Sequence, residues 1–108
     1  MENKCTFVNV FVTAPSAAEA EKIAGSVLKK RLAACASIIK GVSSSYWWQG
    51  KIERSNETLI IMKTKSMLAQ KLTDEIKMIH SYSVPEIIVL PIVGGNPDYL
   101  KWIYESVK

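Results

Sequence analysis

The sequence predicts an α+β domain in which two β-α-β halves share one sheet, and three observations carry that prediction. Runs rich in β-branched and aromatic residues alternate with segments whose apolar residues recur every three to four positions. The stretch Tyr46-Trp47-Trp48-Gln49-Gly50-Lys51-Ile52-Glu53 reads as a β-hairpin joining the halves, because glycine takes the positive φ that a chain reversal needs. After the last strand, Asn96-Pro97 has the form of a cap followed by proline at the first helical position, which adds a C-terminal helix.

Cys5 to Thr13 is the first strand, ended by Pro15. Ser16-Ala17-Ala18-Glu19 has the spacing of a capping box, and Ala20, Ile23, Ala24, Val27 and Leu28 form the apolar stripe of a helix running to about Arg31. Ala33 to Ile39, ending at Gly41, is a second strand, extended or bulged into the tryptophan hairpin. Ser55-Asn56 offers a further turn before a third strand, Thr58 to Thr64. Ser66 is a plausible cap for a second helix carrying Leu68, Leu72, Ile76 and Ile79 and ending near His80. Val84-Pro85 keeps the connector extended, Ile87 to Val93 is a fourth strand, and Asp98 to about Val107 is the final helix.

This order is that of the ferredoxin-like βαββαβ sandwich, with right-handed crossovers placing both long helices on one face of an antiparallel sheet. The other face is not polar. Strand 1 offers Val8, Val10 and Val12 on one side but Phe7 and Phe11 on the other, and strand 4 is apolar throughout, whereas a sheet wetted on one side alternates. Adjacent tryptophans in a strand also point to opposite sides, so Trp47 and Trp48 cannot share one core. A homo-oligomer that packs sheet faces together answers both points.

The 108 residues suit a single domain, 1–108, burying roughly two-thirds of its unfolded surface. A hydrophobic share of 48% and a charged share of 22% exclude a disordered chain. No apolar run approaches the roughly 20 residues that span a bilayer, and the opening Met-Glu-Asn-Lys lacks the regions of a signal peptide, so a cytoplasmic protein is expected. The net charge of +4 is dispersed, and its one run, Lys29-Lys30-Arg31, falls where a helix C-terminus favours cations. Cys5 and Cys35 show neither zinc nor redox spacing and read as free, buried thiols.

Five strings in order, Arg31-Leu32-Ala33-Ala34-Cys35-Ala36, Tyr46 to Glu53, Leu59 to Thr64, Val84-Pro85-Glu86-Ile87-Ile88 and Tyr99-Leu100-Lys101-Trp102, resemble the motif set of the CutA family of divalent-cation tolerance proteins. The resemblance runs from Thr13-Ala14-Pro15 almost to the C-terminus. It implies a cytoplasmic, trimeric ferredoxin-like protein, akin in assembly to the PII signalling proteins and associated with Cu(II) or other divalent cations. It further implies metal ligation by a strand-1 cysteine and by histidines after helix 2. Here those positions read Val12 and Ile79-His80-Ser81-Tyr82, leaving His80 as the one candidate ligand, to be weighed against a helix-end or interface histidine.

A second candidate site is a cleft between subunits formed by Tyr46, Trp48, Lys51, Lys63, Tyr82, Glu86 and Trp102. A lysine inside the apolar third strand needs water or a partner, so Lys63 is expected to pair with Glu86 within aromatic walls suited to a small anionic ligand. These residues favour a non-enzymatic, metal-responsive or ligand-binding regulatory trimer, with a PII-like metabolite sensor as the alternative. An acylphosphatase-like enzyme would need Arg31 and Asn56 to act together. An RNA-binding sheet would carry aromatics at the centre of strand 3, where Leu59-Ile60-Ile61-Met62 stands, so no nucleic-acid partner is expected.

Overall fold

The computed structural model describes residues 5–108. The opening residues 1–4, on which the signal-peptide reading rests, lie outside the described residues. The elements are β1 (Phe7–Ala14), α1 (Ala17–Lys29), β2 (Cys35–Trp48), β3 (Lys51–Lys65), a 3-10 turn (Ser66–Leu68), α2 (Ala69–Ile79), β4 (Ile87–Ile92) and α3 (Pro97–Ser106). The four strands pair antiparallel in the order β2-β3-β1-β4. This is the ferredoxin-like sandwich.

The period-two pattern of β1 decides where the core lies. Val8, Val10 and Val12 are buried with their cross-strand neighbours Ile60 and Met62 against Ile23 and Val27 of α1 and Leu72 and Ile76 of α2. Phe7 and Phe11 face the other way and are only half-buried. The Asn9–Lys63 pair lies on that second face, and Ile103 of α3 packs beside it. The C-terminal end of α3 is tied down where α1 ends: Arg31 Nη1 donates to the Ser106 carbonyl at 3.1 Å, and Lys108 N–H donates to the Arg31 carbonyl at 3.1 Å.

The hairpin is longer than its sequence signals suggest. Gln49 and Gly50 both take positive φ, 51° and 78°, the conformation of a two-residue I′ turn whose twist matches the strands it joins. Pairing then runs from Trp48–Lys51 back to Cys35–Lys63, with an irregularity between Ile39 and Val42 where Gly41 takes a φ of 72°. The expected turn at Ser55-Asn56 does not form. Those residues lie opposite Ser44 and Ser43, because the I′ turn fixes the register through them, and Tyr46 Oη and Ser55 Oγ hydrogen-bond at 3.2 Å. β1 covers β3 only from Thr58 onward, so 42–57 project as a two-stranded ribbon beyond the sheet.

Two helix starts also differ from expectation. Ser16 Oγ accepts from Glu19 N–H at 3.1 Å, but Glu19 does not complete the capping box; its carboxylate accepts from the N–H and hydroxyl of Ser81, both at 2.9 Å. Ser66 caps nothing, because its hydroxyl donates to the Cys5 carbonyl at 2.7 Å and the chain enters α2 through the 3-10 turn. Both cysteines are unpaired and half-buried, not the fully buried thiols expected.

Candidate functional site

The ribbon, the end of β1 and the α2–β4 connector border a cavity of about 560 Å³. Alternation along the ribbon sends Tyr46 and Trp48 to the cavity side, while Trp47 is turned away and 73% exposed. Thr13 closes one end, Glu57 rises from β3, and Tyr82 and Glu86 enter from the connector that Pro85 keeps extended. Four of the residues read from the sequence, Tyr46, Trp48, Tyr82 and Glu86, therefore meet in one place.

His80 builds this corner and belongs to its frame. The residue ends α2 and is buried, with Nε2–H donating to the Thr13 carbonyl at 2.7 Å and Nδ1 accepting from Tyr82 N–H at 3.0 Å. A carbonyl on one nitrogen and an N–H on the other assign the neutral Nε2–H tautomer. Glu19 Oε2 stands 3.5 Å from Nδ1, but the lone pair there already serves Tyr82, so that approach is no ion pair in this tautomer. Burial pushes the Glu19 carboxyl up, yet the two Ser81 hydrogen bonds, with smaller help from the Lys22 charge, leave it below its ordinary value.

Within the protomer this geometry gives the metal reading of His80 no support. Both ring nitrogens are engaged by main-chain groups, and no group of three or more His, Cys, Asp or Glu stands close enough to hold a metal among the described residues. Residues that take Cu(II) supply several N, O or S donors in a tetragonal array. The residues present do not fit such a centre.

Within one protomer the expected cations of the cleft stand elsewhere. Lys63 does not reach Glu86: its ammonium lies 4.0 Å from Cys35 Sγ and borders a second cavity of about 320 Å³ with Asn9 and Tyr99. Cross-strand register explains the separation, since Lys63 pairs with Asn9 and Cys35 on the second sheet face, whereas Glu86 precedes β4 at the ribbon end. Lys51 is exposed beside the hairpin turn, opposite Trp48 in the ladder. Trp102 stacks at an angle on Tyr99, with ring centroids 5.4 Å apart, on α3. Arg31 is held at the end of α3 while Asn56 stands in the ribbon, so the acylphosphatase-like pair has no common site.

Glu57 is the site residue that sequence reasoning missed. It is only 8% exposed, and Tyr82 Oη donates to its Oε2 at 2.9 Å. The available signal was a carboxylate at the entrance of the apolar run Thr58 to Met62, where a charge needs a reason to be buried. Burial, then the hydrogen bond to Glu57 and the charge of that carboxylate, push the Tyr82 phenol up to about 12 from its ordinary 10.0. The phenol is thus held as a donor. The contribution of this bond to stability is complete below pH 10, where unfolded tyrosine is still protonated, and is lost as pH rises through about 12. Ultraviolet titration of tyrosinate is expected to show a phenol titrating near 12, and Glu57→Gln should move it back toward 10.

With that geometry in view, comparison with known proteins is specific. The family described as "CutA1 divalent ion tolerance protein" matches residues 8–106. The rice protein named "Protein CutA 1, chloroplastic" is 44% identical over 99 residues, 92% of this chain and 56% of its own length. The chain thus spans about half the length of that relative, but 94% of the Pectobacterium atrosepticum "Divalent-cation tolerance protein CutA", to which it is 39% identical over 96% of its own residues. The crystal structure of CutA1 from Oryza sativa superimposes with a TM-score of 0.93 at 42% identity, covering 96% of this chain and 95% of that one.

Proposed function

The chain belongs to the CutA1 divalent ion tolerance family, and from that premise we propose that it is a non-catalytic, homotrimeric regulatory protein that acts by taking a small ligand into the ribbon cavity. One observation carries the reading: Tyr46, Trp48, Tyr82, Glu57 and Glu86, drawn from three separate segments, converge on one cavity of about 560 Å³. That size lies within the roughly 300–1,000 Å³ of small-molecule sites, and aromatic walls with a few placed polar groups are their usual lining.

The assembly follows from what the protomer leaves uncovered. A two-stranded ribbon is marginal alone in water. This one exposes Trp47 and Ile52 at its tip, while edge strand β4 exposes Ile88, Val89 and Leu90. Exposed apolar residues of this kind seek a protein partner, and identical copies packed around a threefold axis supply it. In this reading the protein resembles PII proteins in assembly and acts in the cytoplasm, where Cys5 and Cys35 stay reduced. Its tie to divalent cations is one of response, without Cu(II) on His80.

Native mass spectrometry together with Trp48 fluorescence in a Trp47→Phe/Trp102→Phe background tests it. A trimer whose Trp48 signal saturates with a small organic ligand is the expected result. A monomer, or a trimer silent to a broad ligand panel, would overturn the reading.

A further inference from the structure

We infer that the ribbon cavity selects a small organic cation, a protonated amine or ammonium ion, over an anion or a bare metal ion. The inference rests on the reading of this cavity as a ligand site and assigns the chemical class of its occupant. Two carboxylates face it, Glu57 and Glu86, and neither has an ion-pair partner among the described residues. Among the described residues of the protomer, no lysine or arginine lines it. Glu57 is the telling member, because a carboxylate 8% exposed is normally paired, and the one partner here is the neutral Tyr82 phenol. A phenol held as a donor orients the carboxylate without neutralising it.

The remaining walls decide which kind of cation fits. Tyr46, Trp48 and Tyr82 offer the π-faces that attract ammonium groups, most strongly where water is partly excluded. A divalent metal would demand six or more oxygen ligands at close range, or several nitrogen and sulfur donors. The described residues contain no group of three or more candidate metal ligands. A cavity of about 560 Å³ is also far larger than one dehydrated ion needs. The expectation of an anionic ligand depended on Lys63 lying beside Glu86, and within the protomer Lys63 lies on the other face.

The test uses isosteric probes of opposite charge on the intact protein at neutral pH and constant ionic strength. Trp48 fluorescence, in the Trp47→Phe/Trp102→Phe background, is titrated with n-butylammonium, tetramethylammonium, n-butyrate and Mg²⁺. Saturable change with the ammonium ions and none with butyrate or Mg²⁺ is expected. Glu57→Gln keeps an acceptor for Tyr82 but removes the charge, and should weaken ammonium binding on the order of tenfold or more. Glu86→Gln, at an exposed position where folding is not at stake, should weaken it in the same direction. Binding of butyrate in preference to ammonium, or of Mg²⁺ alone, overturns the cationic class while leaving the cavity as a ligand site. Ammonium binding unchanged in both glutamine variants also overturns it. Silence toward all four probes overturns the inference, and if wider ligand panels are silent too, the function proposed above falls with it.

Discussion

Ile60→Ala is expected to lower the free energy of unfolding by about 2–5 kcal/mol, the usual range for deleting a buried branched side chain and leaving a cavity behind. Ile60 is completely buried at the middle of β3, paired with Val12 on one side and Ile38 on the other, in the layer between sheet and helices. Such a site cannot collapse easily, because strands on both sides hold the backbone in register and α1 and α2 close the layer. Urea unfolding at fixed protein concentration measures the change, concentration being held because association shifts apparent stability. Met78→Ala, at an exposed position on α2, serves as the comparison and should stay within about 0.5 kcal/mol. Equal losses in the two variants would mean that the core is not where β1, β3, α1 and α2 place it.

His80→Leu is expected to cost about 2–4 kcal/mol, because it strands the Thr13 carbonyl and the Tyr82 N–H in a buried corner. His80→Gln places an amide N–H near the position of Nε2 and should recover part of the loss through Thr13. Thr13 and Tyr82 both line the cavity, so the leucine variant is also expected to weaken the Trp48 response to ligand. Cu(II) uptake by the folded glutamine variant, followed by native mass spectrometry, is expected to equal that of the parent. A specific Cu(II) ion present in the parent and absent from the folded variant would restore His80 as a ligand and overturn its role as a brace.

The element order and the position of the core were legible because their signals are local. Ser16 caps α1, Asn96-Pro97 opens α3, Gly50 turns the hairpin, and the Val8-Val10-Val12 alternation marks the helix-covered face. Where local chemistry has two outlets, the sequence does not choose. Ser55-Asn56 has turn composition, yet a register fixed at Gln49-Gly50 carries it through as strand, and Ser66 has cap composition, yet its hydroxyl finds the Cys5 carbonyl. Half of the candidate site was legible in the same sense. Tyr46, Trp48, Tyr82 and Glu86 could be named from motifs, but their convergence depends on contacts 25 and more residues apart.

By itself, then, the sequence determined an α+β chain of βαββαβ order, a tryptophan hairpin whose two indoles must part company, and membership in a recognisable motif set. The tertiary structure decided the chemistry of the site. Strand register put Lys63 beside Asn9 and Cys35 instead of Glu86, set the buried Glu57 against Tyr82, and closed both nitrogens of His80 on the main chain. The physical reason is that periodicity fixes which face a residue occupies within its own element. Which residue it then meets depends on the pairing of distant elements, where a shift of one position exchanges the two faces.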